Sequence, residues 1–153
     1  MIKNNKIAVF GASSKTGLEV INYGVKSGLN MRAVVRSENK IKNFGKNGKD
    51  IEVILCDDIL NYEKVLSAIK GAGAVVTLFG PVYPYKEIFC AKAAFNIVEA
   101  MKIENISRLI CVTGALIGDY KNNRTLPFNM FCKFLNNKTQ DAAQDRIEQE
   151  KII

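Results

Sequence analysis

The architecture of this chain follows from one early segment, Ile7-Ala8-Val9-Phe10-Gly11-Ala12-Ser13-Ser14-Lys15-Thr16-Gly17-Leu18. Four apolar residues, a run of Gly, Ala and Ser, and then residues with helical spacing predict a buried strand, a tight turn and a helix. Gly11 permits a sharp exit from the strand, and the small residues after it let a ligand reach backbone amides at the helix N-terminus. Gly17 lets the helix lie close to the strand. We therefore predict a phosphate-binding turn; the alternative is an ordinary tight turn between strand and helix.

Composition sets the size and the class of the protein. With 153 residues, 48% of them hydrophobic, the chain is expected to form one globular domain, although it is short for a complete doubly wound fold. No apolar run approaches the roughly 20 residues that cross a bilayer, and the N-terminus does not have the pattern of a signal peptide. The sequence therefore predicts a cytoplasmic protein that does not enter a membrane.

The metal-binding and nucleophilic residue types are few. The four cysteines, Cys56, Cys90, Cys111 and Cys132, match no metal-binding spacing and lie in apolar or strand-like contexts, so we predict buried free thiols in a reducing compartment. The chain contains no histidine. This excludes His-based nucleophilic triads and most catalytic zinc sites, and we expect no metal.

A net charge of +7 raises the question of nucleic acid binding. Much of the surplus falls in one stretch, at Arg36, Lys40, Lys42, Lys46 and Lys49. Glycines interrupt this stretch, and it lacks the interleaved aromatic residues that stack on bases. We interpret it as a solvated face, of which a part could meet an anionic cofactor, and we expect no nucleic acid partner.

Apolar runs and helical patterns alternate along the rest of the chain. The predicted strands are 6–10, 31–35, 51–55, 74–79 and 109–113, and the predicted helices are 16–27, 62–69, 87–101, 128–135 and a last one from about 139. The run 74–79 is apolar throughout, which is typical of a strand covered on both faces. This alternation predicts an α/β fold with a doubly wound parallel sheet.

Polar residues follow three of the predicted strands. Arg36 and Ser37 come after the second strand, where a dinucleotide fold meets the adenosine ribose, and an arginine there favours the 2′-phosphate of NADP over NAD. The alternative is that Arg36 is a surface charge. Asp57 and Asp58 follow the third strand and could either meet an adenine amino group or cap the next helix, a cap being at least as plausible for Asp58. Tyr83 and Tyr85, after the fourth strand, could line a pocket for a flat ring or cover the sheet end.

The chain resembles the atypical short-chain dehydrogenases that bind NAD(P)H, a group that includes biliverdin reductase B and the NmrA-like proteins. The residues that carry the resemblance are Lys6-Ile7-Ala8-Val9-Phe10-Gly11-Ala12, Arg36-Ser37, Asp57, Gly80 and Val112-Thr113-Gly114. The resemblance covers nearly the whole chain. It implies a Rossmann fold and binding of NADP(H), with NAD(H) less favoured.

The resemblance also implies roles for individual residues. The turn of that family holds the pyrophosphate, and this role passes to Gly11, Ser13, Lys15 and Thr16, with Ser14 and Gly17 completing the turn. By the same resemblance, Arg36 and Ser37 would bind the 2′-phosphate, and Asp57 would bind the adenine. The nicotinamide ribose would be bound by Leu78, Phe79 and Gly80.

Three departures from the family pattern bear on function. Ser14 stands where the GxxGxxG pattern has its middle glycine, so a Cβ and a hydroxyl enter the place at which the backbone approaches phosphate. Gly114 stands where the flavin and biliverdin reductases have a serine, and Thr113 beside it is the candidate catalytic hydroxyl. The family continues for another strand or two, so we expect the domain to be incomplete at its C-terminal end.

These residues favour a particular class of reaction. Tyr120 and Arg124 have the spacing of the YxxxK pair that reduces carbonyls, but the pair ends in Arg and lies in a predicted loop. Hydride transfer to a flavin-like or quinone-like acceptor needs less from the protein, because the cofactor carries the chemistry. We therefore expect an NADPH-dependent oxidoreductase with a small-molecule acceptor. The alternative is a non-catalytic NmrA-like redox sensor, and an exposed sheet edge predicts self-association.

Overall fold

The computed structural model describes residues 6–37, 39–40, 51–82, 87–114, 125–138 and 140–153, with the backbone alone at 135–138. Strands and helices alternate over most of this length. The strands are β1 (Lys6–Phe10), β2 (Asn30–Val35), β3 (Glu52–Leu55), β4 (Ala74–Thr77) and β5 (Leu109–Cys111). The helices are α1 (Lys15–Lys26), α2 (Tyr62–Ile69), α3 (Cys90–Ile103), α4 (Leu126–Lys138) and α5 (Gln140–Ile152).

The five strands form one parallel sheet in the order β3-β2-β1-β4-β5. Strands β2 and β3 lie on one side of β1, and β4 and β5, which come later in the chain, lie on its other side. The order therefore reverses between β1 and β4, whose last residues, Phe10 and Thr77, are register partners. In doubly wound sheets, ligands bind at the carboxyl ends of the strands that flank such a switch point. The predicted fold class is confirmed.

The described residues separate into two compact units. The first comprises the described part of Met1–Phe79 together with Asn96–Val112, and it contains the whole sheet with α1 and α2. The second comprises Gly80–Phe95 and Thr113–Ile153, with α4 and α5. Helix α3 contributes its first turns to the second unit and its remainder to the first.

Side chains on both faces of the sheet form the core of the first unit. On one face, strand residues pack with α2 and α3 in a cluster that includes Ala8, Phe10, Val34, Val65, Ile69, Val75, Ile97 and Met101. On the other face, strand residues pack with α1 in a cluster that includes Val9, Ile21, Met31, Ala33, Val35 and Val76. All four residues of β4 are buried, as expected for a central strand with helices on both sides.

Two strands end earlier than the sequence predicted, and strand pairing explains where they end. β4 ends at Thr77 rather than at residue 79 because its partner β1 turns away after Phe10. β5 ends at Cys111 rather than at 113, since Cys111 is the register partner of Thr77. Helix α4 is longer than predicted and runs from Leu126 to Lys138.

A buried arginine links β2, β3 and the end of α2. Arg32 is 6% exposed, and its guanidinium donates to both carboxylate oxygens of Glu52, at 2.9 and 3.0 Å. Its Nη1 also donates to the backbone oxygens of Ala68 and Lys70, at 3.0 and 2.8 Å. Lys6 lies 2.8 Å from the same carboxylate. Glu52 therefore neutralises Arg32, and Arg32 in turn satisfies carbonyls at the C-terminus of α2.

In the second unit, a carboxylate from α5 caps the start of α3. Asp145 is 6% exposed and accepts hydrogen bonds from the backbone N–H groups of Phe89, Cys90 and Ala91, at 3.2, 2.7 and 2.9 Å. A helix N-terminus leaves such N–H groups without intrahelical partners, and it favours a negative charge. This explains why α3 begins at Cys90, whereas the sequence predicted a start near 87.

The thiols lie largely where the sequence predicted them. Cys56, Cys90 and Cys132 are buried, Cys111 is half-buried, and all four are free. Burial, with the nearby carboxylate of Asp57, raises the pKa of the Cys56 thiol to about 11, so this thiol is protonated and unreactive at neutral pH. None of the described helices has the length and the apolar character that crossing a membrane requires.

The ion pairs of Glu52 predict an acid-sensitive contribution to stability. Hydrogen bonds from Arg32 and Lys6 hold the pKa of Glu52 below its usual value. A carboxyl group with a lowered pKa stabilises the folded state above its unfolded pKa, and this stabilisation is lost as the pH falls through the folded value. Because Glu52 is partly exposed, we expect Glu52→Gln to lower the free energy of unfolding by about 1 kcal/mol at neutral pH.

Urea denaturation at several pH values measures this effect. The difference between wild type and Glu52→Gln should shrink towards zero in acid, where the wild-type carboxyl is protonated too. Glu99→Gln is the matched control, since the ion pair that Glu99 forms with Lys102 in α3 is exposed. A wild-type advantage that persists unchanged in acid would contradict the assignment.

Candidate functional site

The turn between β1 and α1 lies directly against the chain that leaves β4. Gly11 has a φ of +77°, in the left-handed region that glycine adopts without strain. A Cβ at this position would lie 3.0 Å from the carbonyl carbon of Leu78 and 3.2 Å from the backbone nitrogen of Phe79. Only a residue without a side chain fits between these two segments. The turn is therefore held at the switch point of the sheet.

Gly17 sets how closely α1 approaches this turn. A Cβ on Gly17 would overlap the carbonyl oxygen of Gly11 and lie 2.6 Å from the carbonyl oxygen of Ala12. Both contacts are with backbone, which cannot move away as a flexible side chain can. The first turn of α1 therefore rests on the glycine turn itself, and we call Gly11, Gly17 and the first amides of α1 together the cradle. This is the backbone arrangement that binds phosphate groups.

Ser14 is the N-cap of α1. Its Oγ accepts from the backbone N–H of Gly17 at 3.0 Å, while its own N–H donates to the carbonyl oxygen of Gly11 at 3.0 Å. Among the described residues, the N–H groups of Lys15 and Thr16 have no hydrogen-bond acceptor. The helix thus presents two unpaired amides to an anion, and the Ser14 hydroxyl already occupies the next one.

The charge at this helix end also suits an anion. The first turn of α1 contains no acidic residue, and Lys15 stands at its first position with an exposed side chain. A cation at a helix N-terminus opposes the helix dipole, so Lys15 does not serve α1 itself. A bound phosphate would pair favourably with both the amides and the ammonium group.

Arg36 and Ser37 lie at the same edge of the sheet as the turn. They directly follow β2, which pairs in parallel with β1, so both strands present their carboxyl ends at this edge. Arg36 is exposed and Ser37 is half-buried. The N–H of Lys40 donates to the carbonyl oxygen of Ser37 at 3.0 Å, which turns the chain after β2. Lys40 belongs to the basic stretch that the sequence analysis interpreted as a solvated face of which a part could meet an anionic cofactor.

The carboxylates after β3 make local contacts. Asp57 is exposed and pairs with Lys64 at 2.8 Å, and this hydrogen bond holds the pKa of the Asp57 carboxyl below its usual value. Asp58 accepts from the N–H of Leu60 at 2.9 Å. The expectation that a carboxylate caps the next helix is wrong: Asn61, the residue adjacent to α2, accepts from the N–H of Lys64 at 3.2 Å. Asp58 is three residues too early in the chain to take the N-cap position.

The residues after β4 belong to both units. Leu78 donates its N–H to the carbonyl oxygen of Phe10 at 3.0 Å, and Phe79 packs against the core on the α2 and α3 face. Gly80 opens the second unit, where the guanidinium of Arg146 occupies the place that a Cβ would take. Thr113 is half-buried and also belongs to the second unit.

The structure thus brings together part of the predicted set. Residues from the β1–α1 turn, from the end of β2 and from Leu78-Phe79 lie at one edge of one unit, while Gly80 and Thr113 lie in the other unit. Tyr83, Tyr85, Tyr120 and Arg124 fall outside the described residues. Within the described part of the chain, no three Cys, Asp or Glu side chains come together as metal ligands.

Comparison with known proteins identifies a family for this chain. A family model described as NAD(P)H-binding matches residues 11–152. YwnB of Bacillus subtilis is 32% identical over 110 residues, which cover 72% of this chain and 47% of YwnB. A chloroplast protein of Arabidopsis thaliana is 24% identical over 140 residues, which cover 85% of this chain and 50% of that protein. The chain therefore spans about half the length of these curated relatives.

A solved structure with a similar fold is ChuY, an anaerobillin reductase from Escherichia coli. It superimposes with a TM-score of 0.73 at 18% sequence identity, and the match covers 96% of this chain and 66% of ChuY. At this level of identity the likeness concerns the fold.

The close approach of α1 to the turn predicts a strong effect of a single methyl group. We expect Gly17→Ala to lower the free energy of unfolding by about 2 kcal/mol or more, because the new Cβ overlaps backbone oxygens. Gly24→Ala is the matched control in the same helix. The atoms nearest to its Cβ would be those of the flexible Met31 side chain rather than backbone, and alanine favours the helix by up to about 1 kcal/mol.

Thermal or urea unfolding of both variants checks this expectation. Gly24→Ala should remain near wild type. If Gly17→Ala were as stable as wild type, α1 could not lie as close to the turn as described.

Proposed function

Because the chain belongs to the NAD(P)H-binding family, we propose that it binds NADP(H) along the carboxyl edge of the sheet and serves as an NADPH-dependent oxidoreductase. The observation that carries this proposal is the cradle formed by Gly11, Gly17 and the first amides of α1. The pyrophosphate of the dinucleotide would lie over this cradle. The backbone N–H groups of Lys15 and Thr16 and the ammonium of Lys15 would bind it.

Arg36 supports a preference for NADP(H) over NAD(H). Its exposed guanidinium follows β2 and, among the described residues, has no carboxylate partner. A free guanidinium at this place can bind a 2′-phosphate with two parallel hydrogen bonds. Ser37 adds a hydroxyl, and the turn after it places Lys40 within the same short segment. The position directly after β2, where an acidic residue would select the 2′-hydroxyl of NAD, is occupied by Arg36.

The reaction that fits this chain best is the reduction of a flavin-like or quinone-like acceptor. When bound, the dinucleotide supplies a hydride, which reduces the acceptor together with a proton from solvent and leaves NADP+. The protein then needs to hold the two rings at the correct distance, and it needs no strong acid. ChuY, whose fold is similar, is named as an anaerobillin reductase, so a reductase role is represented among proteins of this fold. Thr113 is the candidate catalytic hydroxyl.

Oxidation of NADPH by the purified protein tests this function, with flavin mononucleotide and dichlorophenolindophenol as acceptors. Acceptor-dependent loss of NADPH absorbance supports the oxidoreductase. Tight binding of NADPH without turnover of either acceptor would instead favour a module that senses the redox state of the dinucleotide. Calorimetry that shows no binding of NADPH or NADH would refute the proposal as a whole.

The role of Arg36 leads to a specific prediction about cofactor choice. We expect Arg36→Ala to weaken NADPH binding by about 1.5–3 kcal/mol and to leave NADH binding nearly unchanged, since only NADPH carries the additional phosphate. Isothermal titration calorimetry with both nucleotides measures this difference. Lys26→Ala, which removes an exposed cation from the far end of α1, is the control for general charge effects. Equal losses for both nucleotides would contradict the assignment.

The N-cap of α1 leads to a prediction of tighter rather than weaker NADPH binding. Ser14→Gly should release the N–H of Gly17 and remove the Cβ from the phosphate approach, so we expect tighter NADPH binding. The same change should lower the free energy of unfolding by only a few tenths of a kcal/mol, because glycine is itself a good N-cap. Calorimetry and urea denaturation measure the two effects. Weaker NADPH binding by Ser14→Gly would indicate that the Ser14 hydroxyl itself contacts the phosphate.

A further inference from the structure

Thr77, the last residue of β4, carries a buried hydroxyl without a partner. The residue is 3% exposed, and its Oγ1 has no hydrogen bond to any described residue. Its backbone, by contrast, takes part in the sheet: the carbonyl oxygen accepts from the N–H of Val112 at 3.0 Å. A buried hydroxyl without a hydrogen bond loses its contacts with water and gains nothing in return. Such groups are rare in folded proteins, and each requires an explanation.

Elsewhere in the described part of the first unit, buried polar side chains are hydrogen-bonded. The two other buried polar side chains described there, Arg32 and Asn96, are both hydrogen-bonded. Asn96 donates through Nδ2 to the carbonyl oxygens of Ile59 and Leu60, at 3.1 and 2.9 Å. Valine has the shape of threonine without the hydroxyl, and it occupies the two preceding positions of β4. Folding alone would therefore favour valine at position 77.

The location of Thr77 suggests what the hydroxyl serves. Thr77 is the register partner of Phe10, and the next residue, Leu78, lies against the Gly11 turn. The hydroxyl is thus one residue from the switch point, on the β4 side rather than on the β2 side. The β2 side of the edge carries Arg36 and hence the adenosine end of the proposed cofactor. The β4 side is left for the nicotinamide end.

We propose that Thr77 is a binding residue whose hydroxyl hydrogen-bonds to the nicotinamide half of the dinucleotide, an inference that rests on the proposed function. A hydroxyl both donates and accepts, which suits the ribose hydroxyls and the carboxamide of that half. Because the oxygen is shielded from solvent, binding has to include a shift of neighbouring side chains that opens it towards the ligand.

The test compares stability with affinity in two variants. Thr77→Val should unfold at higher urea concentration than wild type yet bind NADPH about tenfold more weakly, because one hydrogen bond is lost. Its affinity for adenosine 2′,5′-bisphosphate, which lacks the nicotinamide half, should not change. Thr77→Ser keeps the hydroxyl but loses a buried methyl group, so it should be less stable than wild type and retain most of the NADPH affinity. The order of stability and the order of affinity should therefore differ.

Val75→Thr provides the matched control, since Val75 lies on the same face of β4, two residues further from the edge. It should lose stability and keep wild-type affinity for both ligands. The inference is overturned if Thr77→Val binds NADPH as tightly as wild type, or if it loses affinity for both ligands equally. If the wild-type protein binds neither NADPH nor the bisphosphate, the proposed function fails as well. The two failures can be distinguished, because the bisphosphate still binds when only the inference about Thr77 is wrong.

Discussion

The structure depends on the contact between a helix and the turn that precedes it, a contact with no space for even one methyl group. Gly17 allows α1 to rest on the carbonyl oxygens of Gly11 and Ala12, and Gly11 allows the turn to pass directly beside the chain leaving β4. This close packing aims the first amides of α1 at the edge where the strand order reverses. A side chain at either glycine would meet backbone atoms at 3.0 Å or less, so the helix and the turn could not keep these positions.

Charged side chains complete this framework where the backbone leaves polar groups unpaired. Arg32 binds the last carbonyls of α2 and is neutralised by Glu52, while Asp145 binds the first N–H groups of α3. Both charges are buried, and both are accompanied by several hydrogen bonds, as burial of a charge requires. Thr77 differs from these groups because its hydroxyl is buried at the candidate site without such compensation. Natural proteins most often break a packing rule in this way at functional sites.

Cofactor binding and catalysis make different demands on this chain. Binding of a dinucleotide needs the cradle, a cation after β2 and the ends of β1 and β4, and all of these lie in one unit. The candidate catalytic hydroxyl, Thr113, belongs to the other unit, and the chain spans about half the length of its curated relatives. The proposal for the cofactor therefore rests on described geometry, whereas the proposal for the acceptor rests on the chemistry that a bound nicotinamide allows.

Local patterns were sufficient to predict the strands, the helices and the position of the glycine turn. Apolar runs, helical spacing and glycines act over a few residues, so the segment 7–18 and the buried strand that begins at residue 74 could be predicted from the sequence. The end of that strand was predicted at residue 79, whereas strand pairing ends it at Thr77. The burial of Arg32, the capping of α3 by Asp145 and the reason for glycine at position 80 could not be predicted. Each depends on a contact between residues at least 20 positions apart, which exists only once the sheet and the helices have packed. The same holds for the unpaired hydroxyl of Thr77, since only the packed sheet excludes water from it.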